Sequence, residues 1–110
     1  MSTDRSGFYG DKHYTEYVDT VKDLKRQGRL DDAVELLGHL VDATENESRN
    51  NAGWGVAPWY YEQLAIIHAK RGDVDAEVAI LERYAAQAHA PGAKPPLMAA
   101  RLEKARARRG

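Results

Sequence analysis

Cysteine is missing from this sequence of 110 residues. Its absence removes disulfide staples, thiolate zinc sites, iron–sulfur clusters and cysteine nucleophiles together. Long apolar runs are missing too, and none approaches the roughly 20 residues that a membrane-spanning helix needs. The polar start, Met1-Ser2-Thr3-Asp4-Arg5-Ser6-Gly7, lacks the apolar stretch of a signal peptide. These absences predict a cytoplasmic protein with no membrane partner. Sustained two-residue alternation of β-branched residues is also lacking, so strands are not expected.

Catalytic constellations are equally scarce. The serines are Ser2, Ser6 and Ser48, and none stands in a Gly-x-Ser-x-Gly elbow. Gly53-Trp54-Gly55 is too short for a phosphate-cradling loop, and Pro58 follows it instead of a Lys-Ser/Thr pair. His13, His39, His68 and His89 are widely spaced, with no partner ligands at helical spacing. His68 reads as a satisfied core histidine. Asp31-Asp32 and Asp73/Asp75 fall at helix starts, where carboxylates accept orphan N–H groups and meet a favourable dipole. No catalytic residue, cofactor or metal is expected.

The formal net charge of −1 hides an asymmetry. Residues 91–110 carry six cations against one acid, while residues 1–90 carry ten against sixteen. Either the tail makes an electrostatic contact, or its cations simply suit the C-terminal dipole of a solvated helix.

Glycine, proline and asparagine divide the rest into helical runs. The first runs about Lys12–Gln27, with Tyr14, Tyr17, Val18, Val21 and Leu24 on one face. The second runs about Asp31–Glu47, capped by Asp31 or Asp32, with Val34, Leu37, Leu40 and Val41 as its stripe. The third opens near Pro58 and carries Tyr61, Leu64, Ala65 and His68. The fourth follows Asp73 or Asp75 and carries Val78, Leu81 and Tyr84. A fifth opens at Pro95-Pro96, sets Met98, Leu102 and Ala105 on one face, and ends in Arg106–Arg109. The expected organisation is a flexible segment over 1–10, a helical domain over 11–90, and a linker with a basic helix over 91–110.

The helices pair, and the pairs repeat. Gln27-Gly28-Arg29-Leu30-Asp31 lies over Arg71-Gly72-Asp73-Val74-Asp75, with Val34 over Val78 and Leu37 over Leu81, all at an offset of 44 residues. Glycine at each turn suits a positive-φ helix C-cap. One hairpin cannot bury its stripe alone, so the two should stack. The pattern resembles the tetratricopeptide repeat over residues 13–90. Tyr17 and Tyr61 match its early aromatic, Val21 and Ala65 its small packing position, Leu24 and His68 its later aromatic, and Leu37 and Leu81 its large residue in the second helix. The chain departs from that family in its offset, which the family sets at about 34 residues, and in Glu77, which stands where Ala33 keeps the small residue. The resemblance implies an all-α fold: antiparallel hairpins stacked as a short tetratricopeptide-like array of four helices plus a C-terminal capping helix. Residues 53–67 and 77–84 also look like helical-repeat segments of bacterial proteins, some attached to a HIRAN domain. That resemblance implies an accessory helical segment without catalytic activity.

Trp54, Trp59, Tyr60 and Tyr61 crowd eight positions of a chain with one phenylalanine. Neighbours on a helix diverge by about 100°, so these rings cannot share one core. One is expected at the surface as an interface anchor. Trp54 has two readings, a cover over the hairpin tops or an exposed anchor. In tetratricopeptide arrays the first helix of each pair lines a concave face. That resemblance places Lys22, Lys25 and Arg26 there with Trp59, Glu62, Ile66 and Lys70, a surface suited to an acidic or carboxylate-terminated partner. With Trp54 and Tyr60, these are the candidate partner-binding residues. The lysines also serve plain solubility. The expected function is a non-catalytic protein–protein interaction module, binding another protein or a second copy as a homodimer. The alternative is nucleic-acid association through Arg101, Lys104, Arg106, Arg108 and Arg109. Alanine richness and arginine over lysine, 10 to 6, point to a high-GC bacterium or its phage.

Overall fold

The computed structural model describes residues 5–51 and 54–110. Residues 1–4 of the expected flexible segment, and Gly53, lie outside the described residues.

His13 redirects the start of the chain. Its backbone is extended (φ −64°, ψ 149°), and it caps a short 3-10 turn, Tyr14–Tyr17. Its Nδ1 accepts from the Thr15 N–H at 3.3 Å, while its own N–H donates to the Glu16 carboxylate at 3.2 Å. This reciprocal capping box stops the first helix from reaching back to Lys12. Residues 8–13 instead form a small antiparallel ladder, β1 (Phe8–Tyr9) against β2 (Lys12–His13), with Phe8 opposite His13 and Tyr9 opposite Lys12. The expectation of no strands is corrected here. Two-residue strands carry no alternation for a sequence reading to detect. The ladder is tied down by side chains. The Tyr9 ring stacks on His39 at 4.5 Å, the Tyr17 hydroxyl donates to the Tyr9 carbonyl at 2.6 Å, and His13 Nε2 meets Glu47 at 2.6 Å.

Five α-helices follow among the described residues: α1 (Val18–Arg26), α2 (Leu30–Asn50), α3 (Pro58–Lys70), α4 (Val74–Ala85) and α5 (Lys94–Arg109). The α1–α2 and α3–α4 turns are built alike. Gly28 and Gly72 adopt φ of 73° and 74°. The Arg29 N–H reaches back to the Leu24 carbonyl at 2.9 Å, and the Asp73 N–H to the His68 carbonyl at 2.9 Å. This six-to-one closure satisfies carbonyls that a helix end would leave bare, and it needs the left-handed residue glycine supplies.

The helix starts differ in their caps. Asp73 caps α4 as expected, accepting from the Ala76 N–H at 3.1 Å. Asp31 and Asp32 do not cap α2. Arg29 holds the N-cap position without a side-chain bond, and both aspartates lie in the first turn. There they still meet the positive helix end. Pro58 opens α3 at a first-turn position where a missing N–H does no harm.

Each helix packs on the next, and α5 also touches α3, giving a body of 52 × 32 × 20 Å. The core runs through Val21 of α1, Ala33, Leu37, Leu40 and Val41 of α2, Tyr61, Leu64 and Ile67 of α3, Val78 and Leu81 of α4, and Met98, Leu102 and Ala105 of α5. A polar knot sits where α2, α3 and α4 meet. Tyr61 donates to Glu45 at 2.7 Å, and Arg83 grips Glu45 and Asp42, each at 2.7 Å. The carboxylates hold the Arg83 guanidinium charged more firmly than usual, and burial beside Glu45 pushes the Tyr61 phenol up. No helix is long and apolar enough to cross a membrane, among the described residues.

Candidate partner-binding face

Helical spacing puts Trp59, Glu62, Gln63, Ile66 and Lys70 on one side of α3. Two side-chain contacts show what flanks that side. Lys25 of α1 donates to Gln63, and Lys94 of α5 pairs with Glu62 at 2.8 Å. The three odd-numbered helices therefore present a common surface. Trp59 and Ile66 are half-buried in it, and Lys22 and Lys70 are exposed. Lys22 and Lys70 have no hydrogen-bond or ion-pair partner among the described residues, whereas Arg26 is taken up locally by Asp23.

Tyr60 does not belong to this surface, and its expected anchor role is withdrawn. It is 3% exposed, its hydroxyl donates to the Tyr14 carbonyl at 3.2 Å, and its ring meets Tyr14 edge-on. Burial pushes its phenol up to about 12. The diverging aromatics are resolved by burying Tyr60 and Tyr61 on two sides of α3 and leaving Trp59 between core and solvent, edge-on to Tyr60 at 5.0 Å.

Trp54 takes the exposed one of its two readings. It is 60% exposed and lies off α3, in the α2–α3 connection. That connection is pinned from behind. The Val56 N–H donates to the Ala88 carbonyl at 3.0 Å, and Gly55, at φ 75°, approaches the α4–α5 linker so closely that a Cβ would stand 2.5 Å from the Ala90 nitrogen.

The basic residues of α5 divide into two sets. Arg106 pairs with Glu82 at 2.8 Å, and Arg108 clasps both oxygens of the fully buried Glu77 at 3.0 and 2.8 Å. Arg101, Lys104 and Arg109 have no such partner among the described residues. Much of the tail's charge is thus spent on the acidic body of the same molecule. His68 is half-buried on α3, and burial lowers its pKa against the opposing pull of Asp73. Among the described residues, no group of three or more His, Asp or Glu side chains is placed to hold a metal.

Sequence reasoning missed Gln63, Lys94 and Leu97. Leu97 is 58% exposed beside the buried Met98. Its signal was present, since one helical position off the Met98–Leu102–Ala105 stripe turns a leucine about 100° away from the core. No family model, curated protein or solved structure matches this chain.

Proposed function

We propose that this protein is a non-catalytic protein–protein interaction module, a short tetratricopeptide-like array whose α1, α3 and α5 form the binding face. The observation that carries this reading is the pair of links Lys25–Gln63 and Glu62–Lys94, which tie α1 and α5 to α3; exposed Lys22 and Lys70 on α1 and α3, and half-buried Trp59 and Ile66 on α3, support it. Matching glycine turns 44 residues apart support the array reading, as does the succession of neighbouring helix contacts. The partner is a protein segment of acidic character or a second copy of this chain. Nucleic-acid association through the tail is the less supported alternative, because Arg106 and Arg108 already hold Glu82 and Glu77.

The test is capture of interacting macromolecules by the wild-type chain and by a Lys22→Glu/Lys70→Glu variant, at low and moderate salt. Both substitutions fall on exposed groups without partners, so circular dichroism is expected to show unchanged folding. The reading predicts a protein retained at moderate salt and lost in the variant. Recovery of nucleic acid alone, at low salt and untouched by the variant, overturns it.

A further inference from the structure

We propose that the groove between α3 and α5 is a docking site for an acidic protein segment that carries a large apolar side chain, with Leu97 seating that side chain and Arg101 and Lys104 meeting its carboxylates. This rests on the interaction-module reading and names the partner's chemistry. The groove has a volume of about 350 Å³ and is lined by Glu62, Leu97, Ala100, Arg101 and Lys104.

Three features select the occupant. Leu97 and Trp54 are the large apolar side chains the described surface leaves exposed, and Leu97 lies in a groove. An exposed leucine set in a polar rim marks an apolar contact still to be made. Arg101 and Lys104 stand four and seven positions beyond it, on the same edge of α5. Neither has an ion-pair partner among the described residues, although Arg106 and Arg108 on the same helix are paired. The groove's own carboxylate, Glu62, is held by Lys94 at 2.8 Å and leaves the two cations uncompensated. Charge complementarity therefore asks for an anion, and Leu97 with Ala100 asks for an aliphatic or aromatic side chain next to it. A nucleic-acid backbone offers the anion without the apolar group, and no aromatic ring lines the groove to stack a base.

The experiment selects from a random twelve-residue peptide display library on the full chain, with an Arg101→Glu/Lys104→Glu variant as counter-selection. The dissociation constant of an enriched peptide is then measured by fluorescence anisotropy. A random single-stranded DNA pool is titrated in parallel. The expected consensus sets Asp or Glu around a Leu, Ile, Phe or Trp. Affinity is expected to fall about tenfold or more in Arg101→Glu/Lys104→Glu and several-fold in Leu97→Ser. Three results overturn the proposal: no enrichment, a consensus without an apolar residue, or DNA binding that alone depends on Arg101 and Lys104. If protein capture still depends on Lys22 and Lys70 while the library yields nothing, this site fails and the module reading stands.

Discussion

Glu77 and Ala33 occupy equivalent positions of the two hairpins, yet one buries a carboxylate where the other buries a methyl group. Burying a charge is unfavourable unless it is paired and hydrogen-bonded, and Arg108 supplies both bonds. Removing the cation should therefore do more harm than removing the acid. Arg108→Gln is expected to lower the melting temperature clearly, Glu77→Ala to change it little, and the double variant to recover most of the loss. Thermal unfolding of the three proteins checks this order. Glycines offer a second comparison. At Gly28 the positive φ is the whole obstacle to a side chain, since a Cβ there would have nothing within 4 Å. Gly55→Ala meets the linker backbone as well. Gly28→Ala should cost about 1–2 kcal/mol of stability, and urea titration should show Gly55→Ala to be the more damaging of the two.

At the level of elements, the five helices were legible because glycine and proline mark their limits and the apolar stripes keep helical spacing. The stripe Met98, Leu102 and Ala105 is buried, as its spacing implies. What escaped reading depends on contacts between distant residues. The ladder needs His13 to find Glu47, 34 positions away, and Tyr60 becomes core only because Tyr14 arrives beside it. Helical spacing alone sets Trp59, Glu62, Ile66 and Lys70 on one side of α3, while Lys94 and Leu97 required knowing that α5 lies against α3. The last turn of α3 also carries a pH dependence. His68 titrates near 6.5 when unfolded and lower when folded, chiefly through burial. Stability is full above about 6.5, declines as the pH falls through that value because the unfolded chain takes up the proton first, and stops declining below the folded value. Chemical denaturation at pH 7.5 and pH 5 should show the loss, and His68→Gln should reduce it.

The whole molecule is a chain of neighbouring contacts, elongated to 52 Å, with aromatic rings spread along it. Tyr60, unfolded near 10 and folded about 12, favours the folded state fully below about 10, and that contribution fades as the pH rises toward 12. Burial pushes Tyr61 and Tyr84 the same way. Tyrosinate absorbance of the native protein is therefore expected to lag behind that of the chain in urea above pH 10, and to jump when alkaline unfolding frees the rings.

The bond from the Val56 N–H to the Ala88 carbonyl joins the α2–α3 and α4–α5 connections, the segments a protease would ordinarily find first. The Val56 amide then acts as a clock for both: its deuterium exchange counts how often the two hairpins part at this edge, and anything that bound there would slow it.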